Sequence, residues 1–227
     1  MNWLRAPTRA PVTLGLIAAN LAVYLWMAIA SHTLSGFDYA AMIYGGANIV
    51  GTPQDVSHWR WLTAAFVHFN LVHLGVNLWT LSQIGAISER TIGSGLIAAT
   101  YVTTGVIGNL ASALYHGWRH QPEHTAGASG AILGLIGVVA AYAWRTDQRG
   151  IASALVTNFV ILLALGQVLA FDNATHVGGF VAGGLIGLAR ARRPEPLPPR
   201  LNITLIASSA LLTIAAFAIV HSYHGYH

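Results

Sequence analysis

The chain contains no cysteine and no lysine, and only 8% of its 227 residues are charged. Without cysteine there is no disulfide, and redox compartment cannot be read from thiol usage. An ordinary soluble domain is about 25% charged, so a soluble globular protein is excluded and a membrane protein is expected. The eleven basic residues are all arginine. They are not interleaved with clustered aromatics on a recognisable nucleic-acid-binding fold, so nothing points to a nucleic acid partner. Repeats of solenoid period are missing, as are inverted repeats and any loop large enough to be a soluble domain.

What is present is apolar length. Hydrophobic residues make up 55% of the chain, and seven stretches read as helices: 12–30, 68–86, 93–115, 129–144, 151–170, 174–189 and 203–220. A span needs roughly 20 residues, and the stretches starting at Ser129 and Ala174 fall short of that. The expected fold is all-α and polytopic. With the N-terminus in the cytoplasm and sides alternating, Arg5, Arg9, Arg90, Arg145, Arg149, Arg190, Arg192, Arg193 and Arg200 fall inside, and only Arg60 and Arg119 outside. This asymmetry is what positive-inside orientation requires. Arg5, Arg9 and the small residues Ala28-Ile29-Ala30 outline a signal peptide, but the apolar run between them exceeds the usual 7–15-residue core. It is read as a retained helix.

Residues 31–67 form the longest connection, on the outer side, and carry His58-Trp59-Arg60-Trp61, a cluster suited to the headgroup interface. The short inner link at 88–92 makes the second and third helices a tight hairpin. Pro194, Pro196, Pro198 and Pro199, with arginines nearby, make a stiff linker. The expected organisation is a six-helix unit at 1–193, a cytoplasmic linker at 194–202, and an appended seventh helix with a short external tail at 203–227.

Two residues carry candidate chemistry. Gly127-Ala128-Ser129-Gly130 opens an apolar helix that continues with Gly134 and Gly137. A helix starting at a serine aims its amides and dipole at that hydroxyl, where negative charge can develop. From Ser129 to Trp144 is 16 residues, roughly 24 Å, so an inner end anchored at Trp144 and Arg145 leaves Ser129 below the outer surface. His176 opens His176-x-x-Gly179-x-x-x-Gly183. If those glycines meet the glycines of the Ser129 helix, hydroxyl and imidazole come within hydrogen-bond reach. Either motif alone equally describes helix packing. Asp172, four residues before His176, reads as part of the solvated outer loop. His68, His73 and Asn77 sit on the second stretch, and His73 and Asn77 share a face. Both are donors suited to an oxyanion. A metal site is the rival, but His68 and His73 are five apart with no glutamate between them, unlike H-E-x-x-H. Pro122 interrupts His116, His120 and His124, and the terminal His221, His224 and His227 fit only adventitious metal. No metal or cofactor is expected.

Together these residues resemble the rhomboid family of intramembrane serine proteases. The match runs from Trp59-Arg60 through H-x-x-x-x-H-x-x-x-N (His68, His73, Asn77), E-x-x-x-G-S-G (89–95) and G-x-S-G (127–130) to H-x-x-G-x-x-x-G (176–183). The resemblance implies a six-helix rhomboid-like bundle plus a seventh transmembrane helix, with Ser129 as nucleophile and His176 as general base. It further implies an oxyanion hole of His73, Asn77 and the Ser129 amide, and transmembrane protein substrates. Trp59 and Arg60 match a first-loop motif of structural role. Some bacterial members carry an aromatic on the imidazole four residues after the serine; here that residue is Leu133. The implied location is a bacterial inner membrane, the site opening outward. The competing classes are a non-catalytic rhomboid-like protein that binds membrane clients, which usually lacks the serine or histidine, and a small-solute transporter. A transporter is expected to show mid-membrane charges or broken helices in related halves.

Overall fold

The computed structural model describes residues 10–50, 58–169, 171–193 and 195–224. Arg5, Arg9, Pro194 and His227 lie outside the described residues. The elements are α1 (Pro11–Ala30), α2 (Tyr39–Gly45), β1 (Asn48–Val50), α3 (Arg60–Thr63), a 3₁₀ turn (Ala64–Phe66), α4 (Leu71–Ile92), α5 (Ser94–Arg119), β2 (Glu123–Thr125), α6 (Ser129–Arg145), α7 (Arg149–Leu169), α8 (Asn173–Arg192) and α9 (Pro199–His224). Among the described residues, seven long helices therefore stand where seven apolar stretches were expected, and the chain is an all-α polytopic membrane protein.

Among the described residues, α1, α5, α7 and α9 are long and apolar enough to cross a membrane. A fifth span results if α3, the 3₁₀ turn and α4 count as one span bent by 89°. The two that fall short are α6 and α8. At 17 residues α6 is about 26 Å long, and α8 is rich in glycine. They can be short and small because α6 is the buried centre of the bundle, packed on α4, α5, α7 and α8.

The second helix starts at Leu71, not at residue 68, because Asn70 caps it by accepting the His73 amide at 2.8 Å. His68 therefore lies ahead of the helix. At the other end, α9 begins at Pro199, inside the stretch read as linker. Proline is preferred at a first helical position, since it lacks an amide hydrogen that would go unpaired there.

The described parts of the connection between α1 and α4 are folded rather than draped on headgroups. β1 pairs antiparallel with β2, Asn48 opposite Thr125. Arg60 is buried: its Nη1 donates to the carbonyls of Ile43 at 2.7 Å and Ala47 at 3.0 Å. The Ile43 carbonyl belongs to the last turn of α2, where a cation is favoured. At the opposite end of the bundle, Glu89 accepts the amide protons of Val12 (3.1 Å) and Thr13 (2.9 Å) and the hydroxyls of Thr13 and Ser94. A carboxylate on α4 thus caps α1 across the bundle, where α1 has no side-chain cap of its own.

Candidate active site

The loop before α6 is pinned residue by residue. Gly127 has φ +134°, and a Cβ there would lie 2.8–2.9 Å from the His73 ring. Conformation and space both demand glycine. Its amide donates to the Ala64 carbonyl at 2.9 Å. The Ala128 amide donates to His68 Nε2 at 3.4 Å, while His68 Nδ1 meets the Phe66 carbonyl at 3.2 Å. A carbonyl only accepts, so Nδ1 carries the hydrogen and Nε2 is the acceptor. Backbone groups occupy both His68 nitrogens, so His68 serves the loop.

Behind the loop, α6 and α8 touch backbone to backbone. A Cβ on Gly179 would run into the Gly130 carbonyl, one on Gly183 into the Gly134 carbonyl, and one on Gly187 into the Val138 carbonyl. This approach brings Ser129 Oγ and His176 Nε2 to 2.9 Å. His176 is almost fully buried, and its Nδ1 has no hydrogen-bond partner. Asp172 does not supply one. Its carboxylate accepts the Thr175 amide at 3.2 Å and the Thr175 hydroxyl at 2.5 Å, and lies 3.8 Å from His116 Nε2. Asp172 is the N-cap of α8 rather than a free loop residue. Thr175 in turn fills the space that glycine leaves at positions 108 and 130.

His73 and Asn77 stand on α4 beside this pair. The point where a Gly127 Cβ would sit is 2.9 Å from His73 Nε2 and 3.7 Å from Ser129 Oγ, so both atoms face one small space. Phe69 stacks on the His73 ring (centroids 5.7 Å apart, 20° between planes) and His68 meets it edge-on. Asn77 is buried one turn further in, and its Nδ2 donates to the His73 carbonyl at 2.9 Å. It does not bond to Ser129 or His176, and its second amide hydrogen is uncommitted. The amides of Ser129, Gly130 and Ala131 precede the first rung of α6, which is Ile132 to Ala128, and no side chain caps them. A serine hydroxyl bonded to an imidazole, beside donors facing one space, has the parts that acyl transfer needs.

The rhomboid domain family matches residues 55–193. The chain belongs to the rhomboid family. It is 30% identical over 202 residues to rhomboid protease GlpG of Photorhabdus laumondii, covering 83% of this chain and 64% of that protein. It is 28% identical to rhomboid protease AarA of Providencia stuartii, covering 88% and 80%, and 30% identical to rhomboid protease GluP of Bacillus subtilis, covering 74% and 32%. The chain thus spans about two-thirds of the GlpG relative's length and a third of GluP's. In this rhomboid chain Leu133 is buried, and the ring that meets His176 is Phe171, just before α8 (centroids 6.3 Å apart, 69°). Sequence reasoning missed the capping role of Glu89 and the seat of Thr175. Both depend on partners far along the chain, and no local pattern announces them.

Proposed function

We propose that the chain is an intramembrane serine endopeptidase that cleaves peptide bonds in or next to transmembrane segments of other membrane proteins. The observation that carries this reading is the 2.9 Å hydrogen bond between Ser129 Oγ and His176 Nε2, within a chain of the rhomboid family. In this reading Nε2 takes the hydroxyl proton as Oγ attacks the scissile carbonyl carbon. The carbonyl π electrons move onto oxygen, and the resulting oxyanion is held by the Ser129 amide and by His73 and Asn77. The protonated His176 then gives its proton to the departing amine, leaving an acyl-serine. Water, deprotonated by the same imidazole, releases the acyl group and regenerates the hydroxyl.

No acid orients the imidazole in this scheme. Burial against α6 and the edge contact with Phe171 take that part. The arginine distribution supports a cytoplasmic N-terminus and a site opening to the outer side of a bacterial inner membrane, with all reacting groups before residue 194. The test is labelling by a serine-directed fluorophosphonate together with cleavage of single-span membrane proteins by purified enzyme. The reading requires both, and requires both to vanish in Ser129→Ala. Labelling that persists in Ser129→Ala sinks it.

A further inference from the structure

From Ile203 to Val220, α9 has no side chain suited to acid–base chemistry, yet the helix is keyed in at three levels. Near its start the Gly95 amide donates to Asn202 Oδ1 at 3.0 Å, and a Cβ on Gly95 would collide with the Asn202 backbone. Near its far end, the His221 ring meets Trp26 of α1 (4.8 Å) and Tyr44 of α2 (5.2 Å) edge-to-face. Its Nδ1 is bonded to the Phe217 carbonyl at 2.7 Å. Between these keys, Ala216 is fully buried in the main core, and Phe217 packs against that core. With both ends pinned, the height of Phe217 is set.

Phe217 meets Phe66 (ring centroids 6.3 Å apart, 66°), which in turn meets Tyr101 at 5.4 Å. Phe66 ends the 3₁₀ turn, and all three carbonyls of that turn are committed. Ala64 accepts the Gly127 amide at 2.9 Å, Ala65 accepts the Tyr101 hydroxyl at 3.0 Å, and Phe66 bonds His68 Nδ1 at 3.2 Å. His68 holds the Ala128 amide. Two of the three contacts therefore end on the two residues that immediately precede Ser129.

We infer that Phe217 is a positioning residue for the active site, and that α9 acts through Phe66 and the 3₁₀ turn to fix the loop that aims Ser129. This rests on the proposed function of Ser129. Removing the Phe217 ring frees Phe66 to tilt, and the turn carries Gly127 and Ala128 with it. The Ser129 hydroxyl and the oxyanion donors then lose registry. Misplacement of reacting groups by about 1 Å costs on the order of a hundredfold in rate, and a partial shift of the loop is expected to cost at least about tenfold.

The test uses the full chain in detergent, with fluorophosphonate labelling of Ser129 and peptide-bond cleavage measured per folded molecule well below each variant's melting temperature. Phe217→Ala is expected to slow labelling and lower kcat by about tenfold or more with KM unchanged. Phe217→Leu, which retains much of the volume, is expected to recover most of both. Ile214→Ala, on the exposed face of α9, is expected to change neither. If Phe217→Ala fails to fold, a lowered labelling rate in folded Phe217→Leu supports the role and a wild-type rate overturns it. Phe217→Ala that melts earlier yet labels at the wild-type rate overturns the positioning role and leaves the protease reading standing. A wild-type chain that is not labelled at Ser129 removes the protease reading, and this inference with it.

Discussion

Gly183 lies so close to Gly134 that a single methyl group on it would occupy the space of the Gly134 carbonyl. That contact, one turn below Ser129 and two below His176, sets the separation of α6 and α8. Gly183→Val is therefore expected to push the helices apart and abolish cleavage. Overpacking of this kind costs about 1–3 kcal/mol, which should appear as a lower melting temperature in detergent. A Gly183→Val variant with wild-type turnover would show that the Ser129–His176 distance is set elsewhere.

Ser129→Ala and His176→Ala are each expected to abolish cleavage with melting temperatures close to wild type, since neither side chain holds the fold. Because the two act as one unit, the double variant should be little worse than either alone. Measurable turnover by Ser129→Ala, with protein purified free of host protease, counts against the nucleophile assignment.

The oxyanion assignment is tested separately. Losing one donor of such a hole typically costs about 10²–10³ in kcat, and with His73 and the Ser129 amide remaining Asn77→Ala should lose no more than that. The His73→Ala, Asn77→Ala double variant should lose more than either single variant. Full activity in the double variant would mean the oxyanion is held by backbone amides alone.

The seven helices were legible because their apolar runs are long and almost uncharged, and because the arginines mark their ends. Their boundaries were less so: Asn70 as a cap and Pro199 as a first helical residue each moved an end by several residues. The contact of Ser129 with His176 was legible through small residues recurring every three or four positions, which permit a close backbone approach. The folded outer connection was not. Arg60 looked like a headgroup residue because its acceptors, the Ile43 and Ala47 carbonyls, are backbone groups with no sequence signature. The same holds for β1, whose partner β2 lies 75 positions further on.

Glu89 gives a prediction about stability rather than chemistry. Its buried carboxylate holds two amides and two hydroxyls, and hydrogen bonds to a charged group contribute about 1.5–3 kcal/mol. Glu89→Ala leaves the first amides of α1 unpaired and should lower the melting temperature markedly, while fluorophosphonate labelling per folded molecule stays near wild type. Glu89→Gln keeps one acceptor oxygen and should fall between. A melting temperature unchanged in Glu89→Ala would mean that α1 is anchored by its apolar packing alone.

Orientation follows from α9 together with the arginines. At 26 residues α9 is about 39 Å long, more than the roughly 30 Å thickness of a bilayer's hydrocarbon core. Arg190, Arg192, Arg193 and Arg200 cluster before it or at its first turn, and no basic residue other than histidine follows. The positive-inside bias is therefore expected to hold the start of α9 in the cytoplasm and to send its far end, with His221, to the outer side. A topology reporter fused after Arg193 should read as cytoplasmic and one fused after His227 as external. Both fusions reading from the same side would mean that α9 packs on the bundle without crossing the bilayer. If both read as external, the outward-opening site proposed for Ser129 would be inverted as well.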